Sequence, residues 1–126
     1  MVKGVGVDVV DVERFRLSLQ RTPSMRERIF VAEELEYVTP KSDPVPSLAA
    51  RFAAREAVMK AMGVGLGAFG FHEVWVRVQQ GGETNGAPSL MVTGKALDLA
   101  IARGIGRWHV SLSHDGPVAI AQVVAT

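Results

Sequence analysis

Asp8 and Glu56 are the two carboxylates whose neighbours suit chemistry. Asp8 closes the run VKGVGVD. If residues 2–10 form a strand, Val5, Val7 and Val9 share one face, and Gly4, Gly6 and Asp8 share the other. A glycine-lined side leaves room for a ligand to come close. Glu56 lies inside SLAARFAAREAVMKAMG, where Phe52, Glu56 and Lys60 recur every four residues and fall nearly in line on a helix. Two carboxylates, completed by substrate phosphates and water, are the usual protein share of an Mg2+ shell. A lysine one turn from the acid can meet a phosphate on the same side. Plainer readings stand beside these. Asp8 can be a strand-end turn residue, and Glu56 can simply pair with Lys60 four residues on.

Two further runs invite chemistry less strongly. GVGLGAFG (63–70) offers backbone N–H groups to phosphates, yet it follows a helix and lacks the lysine and hydroxyl ending of a P-loop. A helix C-cap with a flexible connection is the stronger reading. In HVSLSH (109–114), His109, Ser111 and Ser113 share one strand face. No nucleophile elbow accompanies them, so a polar-faced strand is preferred over a serine hydrolase.

The elements that must position these groups follow from pattern. A short helix is expected over 12–20, ending near Thr22-Pro23. Short helical turns follow, one capped by Ser24 and running through Phe30, another over 32–38. The three prolines of 39–46 mark a loop of no assigned role. Ser47 is the expected N-cap of the long helix, whose alanines and straight-chain residues favour it and whose glycines from Gly63 end it. Strands are expected over 73–79 and 89–93, joined by a loop with the turn dipeptide Asn85-Gly86. A helix over 94–103 precedes a hairpin of 108–114 and 118–124 around Asp115-Gly116. The fold class is α+β, an antiparallel-rich sheet packed against the long helix, in one domain spanning 1–126.

Composition narrows the function. The 126 residues carry a net charge of +1, so the chain as a whole calls for no polyanion and no nucleic acid. Between residues 14 and 28, however, five arginines stand against one glutamate. That field can steer an acidic partner, or it can be a solvated face. With no cysteine, disulfides and a cysteine nucleophile are excluded. No stretch reads as a membrane span or export signal, and a cytoplasmic protein is the expectation.

Taken in order, GVGVDVVDVERF, RFAAREAVMKAMGVGLG, NGAP and HVSLSHD resemble the motifs of the holo-acyl-carrier-protein synthase family, the small 4'-phosphopantetheinyl transferases. The resemblance covers nearly the whole chain. Arg55 departs from it, standing where lysine is commoner. The resemblance implies that Asp8 and Glu56 hold Mg2+ with the coenzyme A pyrophosphate and that Lys60 contacts the attacked phosphate. It implies that Arg51, Phe52, Gly63, Gly65, Asn85, Gly86, Pro88 and His109 line the coenzyme A site. Arg14, Arg21 and Arg28 would meet an acidic acyl carrier protein of a fatty acid or polyketide synthase. A homotrimer with shared sites is implied too. The residues by themselves leave open a non-catalytic coenzyme A or nucleotide binding module and an Mg2+-dependent phosphohydrolase.

Overall fold

The computed structural model describes all 126 residues. Strand β1 (Gly4–Asp11) leads into helix α1 (Val12–Arg21), two short helices α2 (Met25–Ile29) and α3 (Ala32–Val38), and the long α4 (Val45–Met62). A 3-10 turn at Phe71–Glu73 opens the hairpin of β2 (Val74–Val78) and β3 (Pro88–Val92). Helix α5 (Gly94–Ala102) and the hairpin of β4 (Trp108–Asp115) and β5 (Val118–Ala125) complete the chain. The main sheet has the order β1-β5-β4, all antiparallel, and β2-β3 forms a second antiparallel pair beside β4. The α+β architecture expected from the sequence is the one observed.

Alternation in the sheet decides its two faces. Ala119, Ala121, Val123 and Ala125 of β5 are buried beneath α4, while the opposite face of β1 leaves Val5, Val7 and Val9 more than half exposed. Helix α4 can lie close because both surfaces are small. Ala49, Ala50, Ala53, Ala54 and Ala57 are buried, with Leu48 and Met59 filling the flanks. Burying a leucine or methionine of this kind stabilises the fold by roughly 1.5–3 kcal/mol.

The glycines of β1 serve that contact. A methyl group at Gly4 would collide with the Ala61 carbonyl, and one at Gly6 with the Ala57 carbonyl. The glycine-lined side expected to admit a ligand is therefore filled by helix backbone, and only its Asp8 end stays open. The same contact sets the register. Two strand residues advance about 6.6 Å, close to the 6 Å or so of four helix residues. From the Gly4–Ala61 and Gly6–Ala57 contacts, Asp8 comes level with the turn holding Ala53 to Glu56.

The long helix begins at Val45, two residues before the expected cap Ser47. Pro44 precedes it, and the Asp43 carboxylate accepts from the Val45 N–H at 3.2 Å. Gly63 ends the helix in the left-handed region, at φ 69°, with the Val64 N–H returning to the Met59 carbonyl. The C-cap reading of the glycine run thus holds. The final hairpin turns through Gly116 and Pro117, since Asp115 pairs with Val118.

Candidate active site

Asp8 and Glu56 open into one cleft of about 390 Å3, walled by α1, β1 and α4. Asp11, Arg14, Phe15, Ser18, Met25 and Phe52 line it with them. One end of the cleft is carboxylate, the other apolar, and Arg14 stands over the rim. A slightly larger concavity of about 410 Å3 lies between α3 and β2. Glu33 and Arg77 in its lining pair with each other at 3.0 Å, and neither Asp8 nor Glu56 reaches it.

Lys60 does not pair with Glu56. Its Nζ donates to the Val7 carbonyl at 3.0 Å and to Asp8 Oδ1 at 3.2 Å. Val7 lies on an edge strand, so a carbonyl without a strand neighbour is open to the lysine. The plain reading of Glu56 as half of a helix ion pair fails, because the strand competes for the cation. Glu56 is left beside Asp8 without a counterion of its own. Burial, and then the Asp8 charge, push its carboxyl above the ordinary glutamate range, and Lys60 offsets part of this.

That repulsion carries a testable consequence. A carboxyl raised in the folded state lends stability only while protonated. The contribution is complete below the ordinary glutamate pKa and is lost as pH rises through the raised value. Glu56→Gln should therefore melt above the wild type at neutral pH in chelator. The two curves should converge below about pH 4, where Glu56 is protonated in both states. Thermal melts across pH measure this.

The sequence-derived residues divide into two groups. Asp8, Phe52, Glu56 and Arg14 line the cleft, and Lys60 touches Asp8. Asn85, Gly86, Pro88 and His109 belong to the β2-β3 hairpin and β4, on the other edge of the sheet from β1. His109 also lies on the outer face, paired across from Val124, whereas Asp8 lies on the inner face. One chain does not bring these residues to the carboxylates. Gly63 and Gly65 follow the C-terminus of α4, outside the cleft lining. Arg51 is buried at 4% exposure, stacked on Tyr37 at 4.7 Å, with Nη1 donating to the Ser47 carbonyl. Its Nε has no partner, and burial pulls its pKa down.

Arg21 and Arg28 are in no ion pair, nor is Arg14. Asp11, Phe15, Ser18 and Met25 line the cleft without having been singled out from the sequence. A signal existed for two of them. Asp11 directly precedes a helix and caps it at Arg14 N, and Ser18 lies four residues from Arg14 on the same helix flank.

The profile of the 4'-phosphopantetheinyl transferase superfamily matches residues 4–123. The chain belongs to that superfamily, in its holo-acyl-carrier-protein synthase family. A holo-[acyl-carrier-protein] synthase of Micrococcus luteus is 50% identical over 125 residues, 99% of this chain and 92% of that protein. The crystal structure of the Neisseria meningitidis holo-[acyl-carrier-protein] synthase superposes with a TM-score of 0.85 at 32% identity, covering 100% of this chain and 99% of that one. The Helicobacter pylori family member, solved in complex with coenzyme A, gives 0.80 at 27% identity over 97% and 99%. This family member is an enzyme, a phosphopantetheinyl transferase. None of its helices is long and apolar enough to cross a membrane.

Proposed function

We propose that this transferase moves 4'-phosphopantetheine from coenzyme A to a serine of an apo acyl carrier protein, with Mg2+, releasing 3',5'-ADP. The observation that carries the reading is the meeting of Asp8 and Glu56, from different elements, in a cleft beside Lys60 and Arg14. Both donors are hard oxygens, and of the two causes that raise Glu56, burial and then the Asp8 charge, the second is a repulsion that a divalent cation would relieve. Asp8 and Glu56 would hold it. The chemistry such an ion would supply there is neutralisation of the charge that grows on the leaving group.

The chain's own groups do the remaining work. Lys60, already directed at Asp8, is a compact positive charge for the phosphate under attack. The serine oxygen bonds to the β-phosphorus as the bond from that phosphorus to the bridging oxygen breaks, and 3',5'-ADP departs. Such transfer depends on in-line placement and charge more than on covalent help. Glu56, lining the same cleft, is the acceptor of the serine proton in this reading, directly or through a water. Phe52 packs on Phe15 and Phe71, with ring centroids 5.4 and 6.2 Å away, and gives the cleft a fixed apolar wall. Arg14, Arg21 and Arg28 are free to meet an acidic carrier. Arg51, with one guanidinium nitrogen in reserve, joins Phe52, Gly63, Gly65, Asn85, Gly86, Pro88 and His109 as the coenzyme A set of this reading.

That set requires more than one chain. The exposed face of Val5, Val7 and Val9 is continuous with Ile120 and Val124 of β5, an apolar surface that a second copy would cover. The reading is a homotrimer in which a neighbour's β2-β3 hairpin and His109 complete the site, in the cytoplasm, as a single domain. Val7→Asp should lower the sedimenting mass to that of one chain and abolish transfer, although Val7 lies on the sheet face opposite the cleft. A wild type that sediments as a monomer and is fully active would overturn the shared site.

The central test is mass spectrometry of an apo carrier protein incubated with enzyme, coenzyme A and Mg2+. The expected result is the mass of one added phosphopantetheine group, with 3',5'-ADP in the supernatant. No gain on any carrier, or hydrolysis of coenzyme A without carrier, sinks the reading.

A further inference from the structure

The proline-rich loop between α3 and α4 carries a residue that reaches α1. Arg16 extends its guanidinium to Asp43 as a two-pronged pair, Nη1 to Oδ1 at 2.9 Å and Nη2 to Oδ2 at 2.7 Å. Its Nε meets Glu13 at 3.2 Å. Asp43 in turn accepts from the N–H of Val45, the first residue of α4. A single carboxylate thus joins the middle of α1 to the head of the helix that carries Phe52 and Glu56. The forked geometry fixes orientation as well as distance.

Position on α1 gives this joint its meaning. Val12, Phe15 and Leu19 form the buried stripe. Arg14 and Ser18 flank that stripe on one side and line the cleft. Arg16 and Glu13 flank it on the other, about half a turn around. A ten-residue helix has little stability of its own, and its buried stripe of three residues holds it to the core along one line, which constrains its depth more tightly than the angle of its polar flanks. The Arg16–Asp43 fork opposes a roll about the helix axis, and any roll would move Arg14 and Ser18 across the mouth of the cleft. Arg16 is committed to this contact, unlike Arg14, Arg21 and Arg28.

We propose that Asp43, acting through Arg16, is a positioning residue for the carrier protein: it sets the roll of α1, and thereby the docking of the carrier at Arg14, without touching either substrate. The inference rests on the transferase reading given above.

Asp43→Asn keeps an oxygen for the Val45 N–H but loses the charged fork, and Arg16→Lys keeps the charge but loses the two prongs. Each variant should raise the KM for the apo carrier roughly two- to fivefold, the range of exposed ion pairs. The KM for coenzyme A and kcat should stay at wild-type values. The double variant should be no worse than the poorer single one, because both remove one interaction. Amide hydrogen exchange of the full protein should quicken in α1 and not in α4. An unchanged carrier KM in an active variant overturns the inference, whatever the exchange does, and equal loss of carrier and coenzyme A affinity assigns the pair to the fold alone. A wild type that modifies no carrier is a separate failure. It removes the function itself, and the carrier role of Asp43 falls with it.

Discussion

Asp8→Asn is expected to fold as the wild type does and to lose about 10²–10³-fold in turnover, the usual cost of removing one placed electrostatic group from an active site. The substitution keeps shape and hydrogen-bonding oxygen. Asp8 is 17% exposed at a cleft mouth, so packing gives no reason for misfolding. Two things change. One of the two hard anionic donors is gone, and Lys60 loses the negative charge it faces, although the Val7 carbonyl still holds its Nζ. A second readout separates this from general damage. In the wild type, coenzyme A should bind more tightly with Mg2+ than in chelator, because in the proposed mechanism the ion and the diphosphate would share a site. In the variant that difference should vanish while the Mg2+-free affinity persists. Calorimetry with and without Mg2+ measures it. Near-normal turnover would take Asp8 out of the reaction, and a metal effect that survives would take it out of the metal site.

The parts legible in the sequence were those that depend on local pattern. The alanine-rich run fixed the long helix, the alternating valines and glycines fixed the first strand, and four-residue spacing put Phe52, Glu56 and Lys60 on one face. The illegible parts depend on partners distant in the chain. Glu56 has Lys60 at helix spacing, yet the lysine goes to Asp8 because an edge strand also offers it the Val7 carbonyl. The helix starts before Ser47, with Pro44 at its N-cap and the Val45 N–H taken by Asp43, itself held by an arginine 27 residues upstream. The glycines beside Asp8 looked like room for a ligand, when the occupant is the backbone of α4. His109 and Asn85 could be assigned to a coenzyme A site only by resemblance. Within one chain the sheet places them away from the carboxylates, and no spacing in one sequence encodes which copy they face.

The largest effect on stability is expected at Glu34 and Arg55, a pair 21 residues apart whose side chains are both fully buried. Glu34 Oε1 accepts from Arg55 Nη2 at 2.6 Å and from the Val31 N–H, and Oε2 accepts from Arg55 Nη1 and the Val76 N–H. Arg55 Nε reaches the Phe71 carbonyl at 2.9 Å, and its guanidinium lies over the Phe30 ring. All three guanidinium nitrogens are used, so α3, α4, the 3-10 turn and β2 meet at one charge pair. Lysine could not replace this arginine in full, since an ammonium cannot meet both carboxylate oxygens and the Phe71 carbonyl in one plane. Replacing both residues by apolar ones of similar volume need not destabilise, because the desolvation cost disappears with the charges. Removing one alone leaves a buried, uncompensated charge. Glu34→Ala should therefore cost about 3–5 kcal/mol. Arg55→Lys should cost less but measurably, as each lost prong strands a buried acceptor. Urea unfolding at one fixed protein concentration measures both, which matters because association would add its own stability. A loss below about 1 kcal/mol for Glu34→Ala, the scale of an exposed pair, would mean that water reaches Arg55 once the acid is gone. These four elements would then be held by their apolar contacts and not by the charge pair.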